Sequence, residues 1–369
     1  MRVGILGAGI GGLTAAWALA RRGVSVTIFD QGAIPNPLGS SYDEHRIIRH
    51  AYGAMRNYAL MIPDAFAAWR LLFADTGNDR IIPVPATYCL RMSLDWYSHV
   101  AASLDHMGIA YRDVPMDEVA MDLPMVNRHG LQRVVETGGA GLVRAADIVR
   151  DLVAWLPRHG VILRPHTEIH QFDPERGTLN NEGFDEIVIA AGAWLPQLLP
   201  GLSEQPRPSL QTVVYLAPPA DLAGAWARAP MLLNRLPTAS GGVYILPPRD
   251  GLRLKAGDYD HNFVGDPTEP RVPDAKQVDR VLESCRHALA DFDRYKILEA
   301  KSCFYTVTNE ERFVLRRGGA RGWLVSACSG HGFKFAALMG LAAADGVMGT
   351  KPEQHVADFM AGRLTEGVI

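Results

Sequence analysis

A glycine-rich turn near the start of the chain constrains its fold more than any other feature. Arg2–Leu6 is a short apolar run, and Gly7, Gly9 and Gly12 then complete the pattern G-x-G-x-x-G. Apolar residues recur every three or four positions after the turn, as in a helix that is buried against a sheet. A second apolar run ends at Asp30. This order of strand, glycine turn, helix, strand and acid predicts a Rossmann-like α/β unit that binds a dinucleotide.

Each residue of this motif has a separate task in such a unit. Gly7 allows the tight turn, Gly9 lets the backbone approach a pyrophosphate, and Gly12 lets the helix pack closely on the strand. The pyrophosphate binds at the positive end of the helix, and Asp30 accepts hydrogen bonds from ribose hydroxyls. The motif fits both NAD and FAD, so another part of the chain must distinguish them.

Composition and charge exclude several classes of protein. The chain has 369 residues, 48% of them apolar, and a formal net charge of −3. There is no basic surface field and no apolar run of about 18 residues, so we expect neither a nucleic acid partner nor a membrane span. The four cysteines form no C-x-x-C pair, so we expect neither a metal site nor a disulfide framework. Because the glycine motif begins at residue 7, we expect no signal peptide and a cytoplasmic location.

Two later segments repeat the pattern of a strand followed by a glycine turn. One apolar run ends just before Gly192, and another, near the end of the chain, precedes Gly330 and Gly332. A glycine directly after a strand suits a close approach of the backbone to a cofactor, although an ordinary strand-to-helix turn has the same pattern. Segments suited to a cofactor thus occur at the start, middle and end of the chain.

This distribution predicts an α/β protein with a discontinuous Rossmann-like domain and a second domain inserted between its pieces. We expect the dinucleotide-binding domain to comprise residues 1–80, 141–204 and 300–369. The inserted, substrate-binding domain is expected to comprise residues 81–140 and 205–299. Alternating strand-like runs at 212–216, 242–246 and 252–256 predict that this second, α+β domain is built on an antiparallel sheet.

Four stretches of the chain resemble one enzyme family. Residues 39–53, with the sequence GSSYDEHRIIRHAYG, closely resemble the arginine-containing loop of the monomeric sarcosine oxidase and N-methyltryptophan oxidase family. Residues 301–306 (KSCFYT), 329–335 (SGHGFKF) and 244–255 resemble three further signatures of the same family. Residues 81–240 match it only in outline.

The resemblance implies FAD rather than NAD, with the isoalloxazine linked by a thioether from Cys303 to its 8α carbon. On physical grounds, the charge of Lys301 could favour the thiolate of Cys303. An ordinary buried cysteine is the alternative for Cys303, and Cys328 is a competing attachment point because it also precedes a glycine turn.

The turn around His331 precedes a helix that the sequence predicts from about residue 333. The positive end of this helix and its free N–H groups can stabilise negative charge on the N1–C2=O edge of reduced flavin. The motif and the resemblance together give these cofactor-binding residues: Gly7, Gly9, Gly12, Asp30, Ser41, Arg46, Gly192, Trp194, Cys303, Gly330, His331, Gly332, Phe333 and Lys334.

The resemblance also implies a substrate site. Arg49 and Lys334 would hold the substrate carboxylate, a task that suits a planar guanidinium beside a point charge. Lys255 would lie near flavin N5 and activate oxygen, since a fixed positive charge stabilises superoxide. From the residues alone, a surface arginine and a solvent-facing lysine are the alternatives for Arg49 and Lys255.

Three further residues carry over from the family to this site. Arg46 would be a cation beside the flavin ring. Tyr244 and Tyr305 would be walls of the substrate pocket.

The chain departs from the family where Tyr259 and Tyr42 replace histidines, so we expect an amino-acid substrate that is larger than sarcosine or differs from it in polarity. The sequence therefore predicts an FAD-dependent oxidase of a secondary-amine amino acid, N-alkyl or cyclic, that reduces O2 to H2O2 as a monomer or homodimer. The alternatives are an amino-acid dehydrogenase with another electron acceptor, a flavin aromatic hydroxylase that uses NAD(P)H, and a flavin-binding protein without catalytic activity.

Overall fold

Two large sheets organise the chain. The structure, a computed structural model, describes residues 1–202, 206–239, 241–326 and 328–364. The domain boundary expected between residues 204 and 205, and the end of the last predicted segment, lie outside the described residues.

The described residues form twenty strands. In chain order they are β1 (Arg2–Leu6), β2 (Ser25–Phe29), β3 (Arg46–Ile48), β4 (Ile81–Val84), β5 (Thr87–Leu90), β6 (Tyr111–Asp113), β7 (Val134–Thr137), β8 (Ala140–Val143), β9 (Ile162–Arg164), β10 (Phe172–Asp173), β11 (Thr178–Leu179), β12 (Glu182–Gly183), β13 (Glu186–Ile189), β14 (Arg207–Ala217), β15 (Met231–Arg235), β16 (Gly242–Leu246), β17 (Leu254–Asp258), β18 (Lys296–Val307), β19 (Val314–Gly319) and β20 (Gly322–Ser326).

The same part of the chain forms eleven α-helices. They are α1 (Ile10–Ala20), α2 (Arg56–Leu60), α3 (Ile62–Thr76), α4 (Leu94–Met107), α5 (Met116–Asp122), α6 (Ala145–Arg158), α7 (Leu195–Leu198), α8 (Ala223–Arg228), α9 (Ala275–Ala288), α10 (Ala336–Met348) and α11 (Glu353–Met360). Short 3₁₀ turns lie at Gly192–Trp194, Ala220–Leu222, Phe292–Arg294 and Phe333–Phe335.

The six-stranded sheet has the order β19-β20-β13-β1-β2-β9. β1 runs parallel to β2 and to β13, with Ile5 opposite both Ile28 and Val188. β9 and β20 extend the parallel sheet on its two sides, and β19 adds an antiparallel edge. The three glycine-turn segments predicted from the sequence therefore follow strands of one sheet.

Helices α1, α3, α6 and α10 share one hydrophobic core with this sheet. α1 and α10 pack closely because α10 carries a glycine at the contact. A Cβ atom at Gly340 would lie only 2.4 Å from the carbonyl oxygen of Thr14. This packing fixes the start of α1 beside the carboxyl end of β1, where a dinucleotide binds in folds of this kind.

The eight-stranded sheet has the order β18-β14-β17-β16-β15-β5-β7-β6. Neighbouring strands are antiparallel except for β15 and β5, which are parallel with Met231 opposite Thr87. β18 forms one edge and pairs with β14 along almost its whole length. Two three-stranded sheets, β3-β8-β4 and β10-β11-β12, complete the described strands.

The predicted fold class is confirmed: a Rossmann-like α/β unit stands beside a largely antiparallel sheet. The runs predicted at 212–216 and 242–246 lie within β14 and β16, whereas the third strand, β17, begins two residues later than predicted. The parallel pair β5·β15 was not predicted, because alternation identifies strands but not partners that are distant in the sequence. β18 begins before residue 300 and belongs to the eight-stranded sheet. Among the described residues, no helix is both long enough and apolar enough to cross a membrane.

Candidate cofactor and substrate site

A cavity of about 310 Å³ lies at the carboxyl ends of β1, β2 and β13. We call it the glycine-lined cavity. The predicted cofactor residues that line it are Gly7, Gly9, Asp30, Ser41, Gly192, Trp194, Gly332 and Phe333. The structure thus brings together predicted residues from the start, middle and end of the chain.

Two glycines of the first turn are required by backbone contacts. Gly7 has φ +105°, and a Cβ atom there would lie 2.4 Å from the carbonyl oxygen of Ala190. A Cβ atom at Gly12 would lie 2.0 Å from the carbonyl oxygen of Gly7. At Gly9, by contrast, the nearest atom to a Cβ would be Ser41 Oγ at 3.5 Å, so this backbone faces the cavity rather than packed protein. This is the cradle that a dinucleotide pyrophosphate requires.

Asp30 is buried at the end of β2, where it accepts three hydrogen bonds from the chain itself. Its Oδ2 accepts from the backbone N–H of Ala8 at 2.9 Å, and its Oδ1 accepts from Gly32 N and Asn36 Nδ2, both at 2.9 Å. A carboxylate offers about four lone-pair sites. Asp30 therefore braces the glycine turn and keeps acceptor capacity for a hydroxyl in the cavity, a brace that the sequence did not reveal.

The arginine loop is tied to both the glycine turn and β18. Ser41 Oγ accepts a hydrogen bond from Ile10 N at 2.9 Å, at the start of α1. Ser40 Oγ donates to the carbonyl oxygen of Phe304 on β18. These two serines hold the loop between the six-stranded sheet and the edge of the eight-stranded sheet.

A second cavity, of about 230 Å³, adjoins the first. We call it the cation-lined cavity. The predicted residues that line it are Arg46, Arg49, Tyr244, Lys255, Tyr305, Gly330, His331 and Lys334. The two cavities meet along β18 and the turn that follows β20, since Phe304 and Gly332 line the first while Tyr305 and His331 line the second.

Arg49 and Lys334 lie together in the cation-lined cavity. The guanidinium carbon of Arg49 and Nζ of Lys334 are 5.0 Å and 5.3 Å from the centre of the Tyr52 ring. Nε and one terminal nitrogen of Arg49 are buried without a hydrogen-bond partner among the described residues. Lys334 is 4% exposed and donates to the carbonyl oxygen of His331 at 3.1 Å. Burial and the charge of Arg49 hold the pKa of Lys334 well below its usual value.

No carboxylate of the described residues forms an ion pair with either of these cations. Buried charges are normally paired, because an unpaired charge away from water is costly. Two adjacent buried cations that line a cavity and have no acidic partner in the described chain therefore fit an anionic ligand, such as a carboxylate.

Lys255 lines the same cavity and is only 1% exposed. The solvent-facing alternative for this residue is therefore wrong. Its Nζ donates to the carboxylate of Asp43 and, at 2.9 Å, to the carbonyl oxygen of His45. Arg46 forms an ion pair with the same carboxylate. The pKa of Lys255 is lowered to about 8. Burial is the largest cause, Asp43 raises this pKa, and Arg46 lowers it.

His331 is held by its own neighbours. Nδ1 lies 3.3 Å from the Tyr52 hydroxyl and Nε2 lies 3.0 Å from the carbonyl oxygen of Glu311. Burial and the charge of Lys334 hold the pKa of this imidazole well below its usual value, so the ring is neutral. The helix expected from residue 333 begins with a 3₁₀ turn, Phe333–Phe335, and becomes α-helical at Ala336.

The expectation that Lys301 would favour the thiolate of Cys303 is wrong. Lys301 pairs with Glu299, 3.5 Å away, and burial raises the pKa of the Cys303 thiol. The cations that do act on the thiol are Arg46 and Lys255. Cys328 lines the glycine-lined cavity and also acts electrostatically on Cys303. Cys303 itself is among the lining residues of neither cavity, but the next two residues, Phe304 and Tyr305, line the first and the second respectively.

The two tyrosines that replace family histidines are in different places. Tyr259 lines the cation-lined cavity, and its hydroxyl is buried without a partner in the described part of the chain. Tyr42 lines the glycine-lined cavity, where its hydroxyl accepts from Arg150 at 3.2 Å. Of the two tyrosines, Tyr259 therefore lines the cation-lined cavity and Tyr42 does not.

Several residues of the cation-lined cavity were missed from the sequence. They include Tyr52, Trp96, Gln211, Asp258 and Glu311, and Asp43 lies behind its wall. Burial raises the pKa of Asp258 to about 6. Only Asp43 and Tyr52 had a signal, since both lie in the loop that resembles the oxidase family.

Comparisons with known proteins agree with these features. The family described as FAD dependent oxidoreductase matches residues 2–346. Peroxisomal sarcosine oxidase from Homo sapiens is 25% identical, over 98% of this chain and 95% of the relative. N-methyl-L-tryptophan oxidase from Yersinia pestis is also 25% identical, over 92% of this chain and 93% of the relative.

A solved structure shares the fold at lower identity. L-proline dehydrogenase from P. horikoshii superposes with a TM-score of 0.79 at 17% identity, covering 98% of this chain and 96% of that one. The family match spans both large sheets and all the loops that line the two cavities. The chain therefore belongs to the FAD-dependent oxidoreductase family, as the resemblance of its four motifs indicated.

Proposed function

We propose that this enzyme is an FAD-dependent oxidase of a secondary-amine amino acid, either N-alkyl or cyclic. The observation that carries the proposal is the pair of buried cations, Arg49 and Lys334, in a cavity that adjoins a glycine-lined dinucleotide cradle. The cations supply a site for a carboxylate, and the cradle supplies a site for FAD.

The glycine turn and Asp30 would hold the dinucleotide part of FAD, with Ser41, Gly192 and Trp194 on the facing walls. Gly330, Gly332 and Phe333 would contact it near the junction of the two cavities. When bound, the flavin would supply the two-electron oxidation of the C–H bond beside the substrate nitrogen. The two electrons and two protons removed from the substrate would convert O2 to H2O2, and the imine product would hydrolyse in water.

The residues of the cation-lined cavity would bind and orient the substrate. Arg49 and Lys334 grip its carboxylate, and a fixed carboxylate places the adjacent C–H bond in one orientation. Tyr244 and Tyr305 line the same cavity and would bound the amine end. The two relatives are named for sarcosine and N-methyl-L-tryptophan, molecules that each carry a secondary amine and a carboxylate.

Lys255 and Arg46 would supply further positive charge to the same cavity. Both line it, and both are held by one buried carboxylate. A fixed positive charge stabilises the superoxide that forms when O2 takes the first electron. We therefore assign Lys255 to oxygen activation, and Arg46 to the neighbourhood of the flavin ring.

We also propose covalent attachment of the flavin through Cys303. Cys303 directly precedes Phe304 and Tyr305, which line the two cavities, and its thiol is influenced by Arg46 and Lys255. Acid-precipitated protein should then be a yellow pellet, and Cys303→Ser should release the colour into the supernatant. Cys328→Ser is the matched control and should keep the pellet yellow. If Cys328→Ser alone releases the flavin, the attachment point is Cys328.

The activity is tested by offering N-methyl, cyclic and primary amino acids to the flavin-loaded enzyme without oxygen. We expect the secondary amines to bleach the flavin fastest and peroxide to appear in air. Bleaching without peroxide would indicate a dehydrogenase, and consumption of NAD(P)H would indicate a hydroxylase. If no amino acid bleaches the flavin, the proposal fails in favour of a flavin-binding protein without this activity.

The remaining expectations stay predictions. We propose that the six-stranded sheet belongs to the FAD-binding domain (1–80, 141–204, 300–369) and that most of the eight-stranded sheet belongs to the substrate domain (81–140, 205–299). A cytoplasmic location and a monomeric or homodimeric state are proposed on the sequence alone.

A further inference from the structure

Asp43 is a buried carboxylate that lies behind Lys255, outside the residues that line either cavity. One of its oxygens, Oδ2, pairs with both Lys255 and Arg46. The other, Oδ1, accepts a hydrogen bond from the Tyr215 hydroxyl at 2.5 Å. The carboxylate is therefore engaged on both oxygens, and both of its cations face the cation-lined cavity.

The position of Lys255 depends on this contact. An ammonium group has three N–H donors. One donates to Asp43 and a second donates to the carbonyl oxygen of His45. The third has no hydrogen-bond partner among the described residues, and Lys255 lines the cation-lined cavity.

Other charged and titratable groups also face Lys255. Burial and the charge of Arg46, on β3, oppose the protonation of Lys255. Asp43, in the loop before β3, and Cys303, on β18, favour it. The ring of Tyr215, on β14, lies 5.7 Å from its Nζ. His45, in the loop before β3, is fully buried, and its pKa is held well below the usual value, so the ring is neutral. Asp43 is the one carboxylate among the described residues that pairs with Lys255.

We propose that Asp43 is a positioning residue that keeps Lys255 protonated and leaves one of its N–H bonds directed to the reaction cavity. If Asp43 carried no charge, burial and the positive charge of Arg46 would both favour loss of the proton from Lys255, and no adjacent carboxylate would counteract them. An amine in that environment loses its proton near neutral pH. Asp43 thereby sets the pH range over which the cavity keeps a second positive charge beside Arg46.

The consequence for the reaction rests on the proposed function. If Lys255 assists O2, reoxidation of the flavin should be fast while Lys255 is charged and slow once it is neutral. Reduction of the flavin by substrate should depend less on this proton, because the carboxylate site lies with Arg49 and Lys334. The rate of reoxidation should therefore fall as the pH rises through about 8, the pKa of Lys255.

The first test measures Lys255 directly and needs no substrate. The chain has only six lysines, so protein labelled with ¹³C-lysine gives few Cε signals, and Lys255→Met identifies the one sought. In the flavin-loaded wild type this signal should titrate near 8, well below that of an exposed lysine. In Asp43→Asn the midpoint should move down by about one to three pH units, the usual effect of one adjacent opposite charge.

The matched control is Glu44→Gln. Glu44 is the next residue and also a carboxylate, but it binds Arg253 rather than Lys255. This variant should leave the Lys255 midpoint within a few tenths of a pH unit of the wild type. Equal midpoints in Asp43→Asn and the wild type, or equal changes in Asp43→Asn and Glu44→Gln, would overturn the proposal.

Tyr215→Phe covers the case in which Asp43→Asn does not fold. It removes only the hydroxyl that donates to Oδ1, so the carboxylate attracts Lys255 more strongly, and the midpoint should rise by a few tenths of a pH unit. An unchanged or lowered midpoint would contradict the proposal.

The second test follows reoxidation of reduced enzyme by O2 from pH 6 to 9.5, with dithionite as the reductant. Asp43→Asn should move the fall in rate to lower pH by the same amount as the NMR midpoint. At pH 8, where about half of Lys255 is charged in the wild type, reoxidation of Asp43→Asn should be about fivefold slower for a midpoint one pH unit lower and about fiftyfold slower for two.

If Asp43→Asn lowers the NMR midpoint of Lys255 but leaves the pH profile of reoxidation unchanged, Asp43 does not affect the reaction with O2. That result would also count against Lys255 as the oxygen-activating group. Neither test uses an amino acid, so neither depends on the proposed substrate class. If that class is wrong, the failure appears in the separate anaerobic experiment, where secondary-amine amino acids would not bleach the flavin.

Discussion

The glycine-lined cavity is shaped mainly by backbone, whereas the cation-lined cavity is shaped by charged side chains that come from distant elements. In the first cavity, positions 7 and 12 require glycine, because a Cβ atom at Gly7 or Gly12 would lie within 2.4 Å of a carbonyl oxygen. In the second, Arg49 and Lys334 lie hundreds of residues apart in the sequence and meet over one tyrosine ring. A substitution in the first should damage the fold, and one in the second should damage the chemistry.

The largest expected effect, loss of the flavin and with it all activity, tests the backbone-shaped cavity. Gly12→Ala would place a methyl group 2.0 Å from the carbonyl oxygen of Gly7. Relief of this overlap must separate α1 from β1, at a cost of about 1–3 kcal/mol or more. We expect protein with little or no flavin and a lowered melting temperature. Gly183→Ala is the control, because nothing lies within 4 Å of a Cβ there, and normal flavin content in Gly12→Ala would contradict the packing argument.

The next effect tests the charged cavity with the fold intact. Arg49→Met should retain flavin and stability but lower kcat/KM for flavin reduction by about 2–5 kcal/mol, which is roughly thirty-fold to several thousand-fold. Stopped-flow reduction without oxygen measures it. Arg253→Met removes an arginine that pairs with Glu44 and Glu299, away from the cavity lining, and should be nearly unaffected. Equal losses in the two variants would remove Arg49 from the site.

A third effect is a pH dependence of anion binding. Burial and Arg49 hold the pKa of Lys334 well below its usual value. A bound carboxylate favours the charged ammonium, so binding takes up a proton and is tightest below the pKa of the free site. The affinity for cyclopentanecarboxylate should fall as the pH rises through that pKa, by up to about tenfold per pH unit. Calorimetry measures it, cyclopentanecarboxamide is the uncharged control, and a flat profile for the acid would contradict the assignment.

The smallest effect separates the two tyrosines. The Tyr259 hydroxyl is buried, faces the cation-lined cavity and has no partner in the described chain. Tyr259→Phe should lower kcat/KM for the best substrate by about 0.5–1.5 kcal/mol, the worth of one neutral hydrogen bond. Tyr42→Phe, which changes the glycine-lined cavity, should leave the ranking of substrates unchanged. A changed ranking of substrates in Tyr42→Phe, or an unchanged kcat/KM in Tyr259→Phe, would contradict the assignment of the two tyrosines to different cavities.

The same contrast explains what the sequence could predict. The glycine turn, Asp30 and the strands around them are local patterns, because each depends on neighbours a few residues away. The partners of Lys255 are not local: its carboxylate lies 212 residues away, and only the folded sheet brings the two together. Alternation along β17 therefore offered a solvent-facing position for Lys255, which the structure buries. Proximity in the sequence likewise suggested that Lys301 would act on Cys303, although Lys301 pairs with Glu299.

The family resemblance supplied what local patterns could not. It brought Arg49, Lys255 and Lys334 into one predicted site, and all three line one cavity. It did not supply Asp43 as a partner, since that residue touches the site only through the cations that it holds.

The central claim is that two buried cations hold the substrate by its carboxylate beside the flavin. The most direct measurement compares the wild-type enzyme with one amino acid in two forms, the acid and its amide, without oxygen. Whichever secondary-amine acid bleaches the flavin fastest should lose at least about a hundredfold in rate when its carboxylate becomes an amide, the loss expected for an unpaired charged contact. An amide that bleaches the flavin as fast as the acid would contradict the account.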